Sequence, residues 1–153
     1  MPDIISLLNY EEGFSAKPYY CSAGYPTIGI GQRIGPKGAP LNMYEFTVSK
    51  SLAAVWLAEK VKETLADMDK YENIRAAMAA CNEPRQAILI SMAYQMGAGG
   101  LAKFTNTLKT ISEKRWSDAK SGMMNSAWAK QTPNRANRHA TQMLTGVWDQ
   151  EYK

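Results

Sequence analysis

The chain has 153 residues, 45% of them hydrophobic, and carries 18 Lys plus Arg against 14 Asp plus Glu for a net charge of +4. This composition excludes intrinsic disorder, a coiled coil and a collagen-like repeat. No apolar run approaches the roughly 20 residues of a membrane-spanning helix, and two cysteines are too few for a disulfide framework. The N-terminus lacks the basic segment of a signal peptide, so we expect a soluble protein made in the cytoplasm.

The positive charge is concentrated in the second half of the chain. Residues 1–75 carry 8 basic and 9 acidic side chains, whereas residues 76–153 carry 10 basic and 5 acidic ones. A basic half indicates a polyanionic partner, such as nucleic acid, an anionic cell wall or a membrane surface, or an ordinary solvated surface. Charge alone does not choose between these.

The first 48 residues predict a short helix followed by a small sheet. Asp3 can cap a helix over residues 3–12, and Gly13 can end it in a left-handed conformation. Ser22-Ala23-Gly24 predicts a turn, and the alternation in Tyr25–Ile30 predicts a strand of an antiparallel sheet. We expect this sheet in an N-lobe of about residues 13–48.

A long helix is predicted next. Ser49 is a suitable helix cap, and neither glycine nor proline follows it until Pro84. Apolar residues in this stretch recur at helical spacing, namely Leu52, Val55, Trp56, Val61, Leu65 and Met68. A helix over about residues 50–71 would be roughly 30 Å long, enough to connect two lobes.

The remainder, about residues 72–153, has helix signals and no strand signals. These signals are Pro84 and Gly97 at the ends of one helix, Thr105 and Thr132-Pro133 at later helix starts, and Gly146 at the last helix end. We therefore predict a single α+β domain with a small antiparallel sheet in the N-lobe and an all-helical C-lobe, to which the N-terminal helix 3–12 also belongs.

Several common catalytic motifs are absent. Gly29-Ile30-Gly31 lacks the spacing and the βαβ context of a dinucleotide-binding site, and there is no G-x-S-x-G nucleophile elbow. One histidine and two distant cysteines cannot form an ordinary zinc site. We therefore expect neither a cofactor nor a metal.

The remaining candidates for chemistry lie between residues 11 and 31. Glu12 is predicted at the end of the first helix, Cys21 in the turn and Thr27 on the strand. A carboxyl, a thiol and a hydroxyl on one cleft wall suit hydrolysis, in which one group donates a proton and the others hold or activate water. Taken singly, each residue also fits an ordinary structural role: a helix-end acid, a small buried filler and a strand residue.

The spacing of these residues resembles that of the T-even bacteriophage lysozymes, the endolysins of glycoside hydrolase family 24. Eight residues separate Glu12 from Cys21 and five separate Cys21 from Thr27, which lies in the run Gly24–Gly31. A second ordered block strengthens the resemblance; it comprises Tyr94–Gly97, Phe104–Asn106, Lys114–Trp116 and Gln131–Ala136. The resemblance covers residues 1–31 and about 48–148, with a shorter stretch between them than in T-even relatives.

The resemblance implies a two-lobed lysozyme-like fold and a muramidase activity. The bond cleaved would be the β-1,4 bond between N-acetylmuramic acid and N-acetylglucosamine in bacterial peptidoglycan. Glu12 matches the general acid, and Thr27 matches the threonine that helps to position water. Cys21 occupies the position of the second catalytic residue, which is aspartate in most members and cysteine in some.

Further positions follow from the same resemblance. Tyr94, Gln95 and Thr107 match cleft residues that contact the glycan. Arg135 matches the arginine that pairs with the catalytic glutamate, and Arg138 its neighbour, facing Glu11. The chain departs from the family pattern at three positions: Gln32 replaces a frequent histidine, Arg33 an apolar cleft residue and Gly122 a polar one. We expect Arg33 and Gly122 to bind substrate, as the matching positions of the family do.

The resemblance also implies a biological setting. A phage endolysin would remain in the host cytoplasm until a holin-type membrane lesion lets it reach the wall in the periplasm. Its partners would be peptidoglycan glycan strands, with no nucleic acid and no stable membrane association, and it would act as a monomer.

Two other functions stay open at this point. Cys21 paired with His139 could serve a wall amidase or peptidase. The chain could also be a lysozyme-like protein that binds peptidoglycan without cleaving it, because a thiol stands where most relatives have a carboxylate. Cys81 is predicted to be a buried free thiol.

Overall fold

The computed structural model describes residues 1–153 and contains nine α-helices and a three-stranded antiparallel sheet, which confirms the predicted α+β class. The chain divides into two compact units. One comprises Leu8–Lys60, and the other comprises Met1–Leu7 together with Val61–Lys153. None of the helices is both long and apolar enough to cross a membrane.

The first helix, α1, spans Ile4–Glu12, and local hydrogen bonds explain both of its ends. The Ser6 amide donates to the Asp3 carboxylate at 2.8 Å, and the Asp3 amide donates to the Ser6 hydroxyl at 2.9 Å. Gly13 follows the helix with φ +68°, a conformation that glycine adopts without steric cost. The predicted cap and end are therefore confirmed, and Glu12 is the last helical residue.

The sheet follows directly and has the strand order β1–β2–β3. Its strands are β1 (Ser15–Tyr20), β2 (Pro26–Gly29) and β3 (Gln32–Arg33). The central strand β2 is buried along its whole length, which matches the predicted strand. In the register, Thr27 on β2 lies opposite Tyr19 on β1 and opposite Arg33 on β3.

The long helix α2 spans Lys50–Met68, and the Ser49 hydroxyl accepts a hydrogen bond from the Leu52 amide at 3.1 Å. The predicted cap is confirmed, but the predicted apolar face is partly wrong. Ala53, Leu57, Val61 and Met68 are buried, whereas Leu52, Val55 and Leu65 are 54%, 62% and 40% exposed. At 3.6 residues per turn the buried set falls on one side of the helix, and Leu52 and Val55 point elsewhere.

Seven helices complete the second unit. They are α3 (Glu72–Ala80), α4 (Glu83–Met96), α5 (Ala98–Ala102), α6 (Thr105–Ser112), α7 (Trp116–Met124), α8 (Ala127–Gln131) and α9 (Pro133–Thr145). Helix α4 forms the centre, since residues 87–93 are all buried. The glycines predicted to end α4 and α9 do so, with φ +82° at Gly97 and +70° at Gly146.

Two of the predicted helix starts differ in detail. Thr105 is the first helical residue of α6, and Phe104 precedes it at the cap position. Thr132 does hold the cap position of α9, but its hydroxyl donates back to the Trp128 carbonyl at 3.0 Å instead of capping α9. A threonine hydroxyl can bond to a neighbouring turn as easily as to its own helix, so the residue type alone does not fix its partner.

Candidate active site

The turn between β2 and β3 packs against the Glu12 side chain. A Cβ atom built on Gly31 would lie 2.6 Å from Glu12 Oε2 and 3.1 Å from Glu12 Cβ. Gly31 also has φ +69°, so both its backbone conformation and its surroundings require glycine. The carboxyl group of Glu12 therefore lies against the end of the sheet, although Glu12 itself is the last residue of helix α1.

Cys21 lies in the turn between β1 and β2 and is partly exposed. Its amide donates to the Tyr25 carbonyl at 3.0 Å, which closes the turn. Burial raises the pKa of the thiol, but hydrogen bonds with the Tyr25 and Ala23 backbone and with the Thr27 hydroxyl, together with the positive charge of Arg33, outweigh that effect. The pKa of Cys21 is therefore below the ordinary value of 9.0, and its thiolate forms more readily than that of a free cysteine.

Thr27 is almost completely buried beside this thiol. Its hydroxyl donates to the Tyr25 carbonyl at 2.9 Å and also bonds to Cys21. Because a hydroxyl has only one proton, it must turn from the carbonyl toward the sulfur when Cys21 ionises. Thr27 can therefore respond to the charge on Cys21.

Tyr19 lies near both candidate catalytic groups, and the sequence reasoning missed it. Burial raises the pKa of Tyr19, and the negative charges of Glu12 and Cys21 raise it further. The charges of Glu12 and Cys21 therefore both act on this phenol, and Thr27 is opposite Tyr19 in the strand register. The sequence does not show that Tyr19 faces the candidate site, because its position depends on the pairing of β1 with β2, in which Tyr19 is opposite Thr27.

Arg33 and Gln32, two of the departures from the family pattern, occupy β3. Gln32 is buried and pairs with Ile28 on β2. Arg33 is exposed, and its guanidinium carbon lies 4.1 Å from the centre of the Tyr25 ring. The structure therefore brings Arg33 to the Cys21 turn and encloses Gln32 in the sheet unit.

The other predicted substrate residues belong to the helical unit. Tyr94 and Gln95 lie in the last turn of α4, and the Gln95 side-chain oxygen accepts a hydrogen bond from Trp128 Nε1 at 2.8 Å. Thr107 on α6 is buried, and a Cβ atom on Gly122 of α7 would clash with its hydroxyl oxygen. Thr107 and Gly122 are thus in direct contact.

Arg135 belongs to a buried chain of hydrogen bonds in the same unit. One of its terminal nitrogens donates to Ser91 Oγ at 2.9 Å, and this oxygen lies 2.7 Å from His139 Nε2. The other ring nitrogen of His139 lies 3.1 Å from the Tyr152 hydroxyl. Ser91, His139 and Tyr152 have no exposed surface, so the guanidinium of Arg135 is held from within the core.

The same contacts exclude His139 as a catalytic base. Burial lowers the pKa of His139 well below its ordinary value, and the charges of Arg135 and Arg138 lower it further. Both ring nitrogens are engaged and the side chain is fully enclosed, so the imidazole cannot reach a substrate. The amidase or peptidase alternative lacks its base.

The arrangement suits proton transfer and water activation by protein groups. Glu12 supplies a carboxyl, and Cys21 with Thr27 supplies a thiolate or thiol and a rotatable hydroxyl. The chain has no group of three or more His, Cys, Asp or Glu side chains placed to hold a metal ion.

Comparisons with known proteins show which family this chain resembles. A family model described as phage lysozyme matches residues 9–145. Probable T4-type lysozyme 2 of Dictyostelium discoideum is 32% identical over 164 residues, which cover 96% of this chain and 96% of that protein. Probable T4-type lysozyme 1 of the same organism is 28% identical, covering 94% of this chain and 95% of that protein. Peptidoglycan hydrolase gp36 of Pseudomonas phage phiKMV is 30% identical over 86% of this chain, which corresponds to 14% of that longer protein.

Proposed function

The chain belongs to the phage lysozyme family, and we propose that it is a peptidoglycan hydrolase of the muramidase type. Its substrate would be the glycan strand, cut at the β-1,4 bond between N-acetylmuramic acid and N-acetylglucosamine. The observation that carries the proposal is that Glu12 lies against the Gly31 turn of the small sheet, whose central strand holds Thr27 and whose preceding turn holds Cys21. A relative named as a peptidoglycan hydrolase supports the same substrate class.

In this mechanism Glu12 is the general acid. Its protonated carboxyl donates to the glycosidic oxygen as the bond breaks, and positive charge develops on the departing sugar ring. The contact between the Gly31 backbone and the Glu12 side chain limits where the carboxyl can lie on that side, which supports a role that depends on distance to the leaving oxygen.

Cys21 and Thr27 act on the water in the proposed mechanism. A thiolate at Cys21 stabilises the developing positive charge and accepts a proton from the attacking water, while the Thr27 hydroxyl orients that water. The hydrogen bonds and the nearby Arg33 charge that favour the thiolate support this assignment. They bring a cysteine closer to the ionised state that aspartate has at neutral pH.

The remaining residues would bind substrate or support the acid. We assign glycan contacts to Tyr94, Gln95 and Thr107, and we assign electrostatic support of Glu12 to Arg135 with Arg138 beside it. The hydrogen bond between Arg135 and Ser91 supports a fixed guanidinium. In a phage setting, we infer that the enzyme reaches the wall after a holin-type membrane lesion.

The test is digestion of purified peptidoglycan with analysis of the products. New reducing ends on muramic acid are expected from the wild-type chain, and Glu12→Gln is expected to lose about 10²–10⁴-fold in rate. Glu45→Gln removes a carboxylate from an exposed loop residue and serves as the matched control. Cys21→Asp is expected to remain active.

Two results would contradict the proposal. Release of free peptide stems without new reducing ends would show an amidase. Binding to peptidoglycan without any release would show a wall-binding protein that has lost catalysis. In the second case Cys21→Asp would tell whether the thiol is the reason, because restored cleavage would place the defect at that position.

A further inference from the structure

Arg33 is an exposed cation held in place beside the candidate catalytic residues. It lies on β3 directly opposite Thr27, and its guanidinium stacks on the Tyr25 ring at 4.1 Å. The positive charge reaches Cys21, since it lowers the pKa of that thiol. Arg33 is therefore a neighbour of the reacting groups and has a defined position.

The contact with Tyr25 leaves the hydrogen-bonding capacity of this arginine available. A ring face attracts a guanidinium and restricts its motion, but it does not neutralise the charge or occupy the N–H donors at the edge of the guanidinium plane. Arg115 differs in this respect, because its guanidinium lies 2.7 Å from the Asp118 carboxylate. The geometry at Arg33 is suited to a planar anion from outside the chain.

We propose that Arg33, stacked on Tyr25, forms a subsite for a free carboxylate on the peptide stem of the substrate. This proposal rests on the muramidase function above and names a determinant of its specificity. The lactyl group that carries the stem is attached to the same muramic acid ring whose C1–O bond is cut. The stem therefore begins on the sugar ring that reacts, and Arg33 is on the strand next to that of Thr27.

The chemistry of the pair fits a carboxylate better than a sugar hydroxyl. A guanidinium donates two parallel hydrogen bonds to a carboxylate, and bonds between charged partners are about twice as strong as neutral ones. Stacking on Tyr25 reduces the side-chain entropy lost on binding, because the planar group is already ordered. The departure from an apolar residue at this position would then change the preferred substrate and leave the reaction itself intact.

The experiment compares three forms of the same glycan strands: stems with free carboxylates, stems with amidated carboxylates, and strands without stems. The quantity measured is the ratio of kcat/KM on free-carboxylate strands to that on each other form. We expect Arg33→Leu to lower this ratio about tenfold, which corresponds to about 1.4 kcal/mol, mostly through KM, because the variant loses hydrogen bonds to a charged group. Arg33→Lys and Tyr25→Leu are expected to lower it less, and salt at about 0.5 M to reduce it in the wild type.

Lys17→Leu is the matched control. Lys17 is an exposed cation on β1 in the same unit, and its removal is expected to leave the ratio unchanged. An equal loss of rate on all three strands in Arg33→Leu would overturn the proposal, because it would assign Arg33 to the ionisation of Cys21 alone. An unchanged ratio would overturn it as well.

Failure of the muramidase proposal can be recognised separately. If the wild-type chain cuts none of the strands, calorimetry with an isolated muramic acid that carries its peptide stem still tests the subsite. Weaker binding by Arg33→Leu than by Lys17→Leu, together with loss of the difference on amidated stems, would support a carboxylate site. Equal binding by the two variants would refute it.

Discussion

Replacement of Gly31 by alanine is expected to displace the candidate general acid with little effect on folding. The added Cβ would lie 2.6 Å from Glu12 Oε2 and 3.0 Å from its Cδ. An ordinary contact begins near 3.4 Å, so the carboxyl has to move by about 0.8 Å. Gly38→Ala is the matched control, because Gly38 also has a positive φ, +78°, and a Cβ there meets nothing within 4 Å.

The two substitutions share a backbone cost and differ in the contact with Glu12. A non-glycine residue in the left-handed region costs about 1–2 kcal/mol, and the loss of unfolded-state freedom offsets part of it. Both variants should therefore lose about 1 kcal/mol in the free energy of unfolding. A misplacement of about 1 Å in a reacting group can lower the rate about 100-fold, and only Gly31→Ala produces one.

The assay is cleavage of purified peptidoglycan, with urea denaturation to measure stability. Gly31→Ala should lose about 100-fold in kcat at a stability close to that of Gly38→Ala, which should keep nearly full activity. Equal activity in the two variants would refute the reasoning, because it would mean that the position of Glu12 does not limit the reaction. A much larger loss of stability in Gly31→Ala would show that the carboxyl cannot move to relieve the clash.

Three further predictions concern stability and thiol chemistry. Because the folded state keeps His139 neutral, the unfolded state binds an extra proton below about pH 6.5. The free energy of unfolding should therefore fall with decreasing pH by up to about 1.4 kcal/mol per pH unit. Urea denaturation at several pH values should show a weaker dependence of the free energy of unfolding on pH in His139→Gln. At pH 8 Cys21 should be alkylated at least about tenfold faster than Cys81, whose pKa burial raises to about 11; peptide mapping over time measures both rates, and equal rates would contradict the difference in pKa. Gly122→Ala should destabilise the wild-type protein by about 1–3 kcal/mol, because the added Cβ clashes with the Thr107 hydroxyl. In a Thr107→Ala background the same substitution should stabilise the protein, because the clash is gone and alanine favours the helix more than glycine does. A change in the free energy of unfolding of the same sign in both backgrounds would exclude the clash.

Much of the local structure could be predicted from short stretches of sequence. Asp3 and Ser49 cap their helices with hydrogen bonds to amides three residues later, and Gly13 and Gly146 follow helix ends at positive φ. These signals act within one helical turn, so neighbouring residues suffice to determine them. The predicted apolar face of α2 was partly wrong because burial depends on contacts beyond one helical turn. Leu52 and Val55 are apolar, but they lie on a side of the helix that no other part of the chain covers completely.

The candidate site also combines residues that the sequence predicts with residues that only the packing places there. The sequence alone predicted Glu12, Cys21 and Thr27 as catalytic residues, because their spacing resembles that of a known family. It could not identify Tyr19, whose place beside Glu12 and Cys21 depends on the pairing of β1 with β2. It also left His139 open as a catalytic base, and only the packing of α9 against α4 and the C-terminal segment shows that this side chain is enclosed.

The sequence by itself determined the fold class and most helix ends and predicted the candidate catalytic residues, since each depends on residue type and short-range spacing. The tertiary structure decided that the pKa of Cys21 is lowered and that the exposed Arg33 side chain packs on the Tyr25 ring. The pKa of Cys21 and the position of Arg33 both depend on the groups that surround them in space. Residues distant in the chain become such neighbours only through the strand register and the packing of the core.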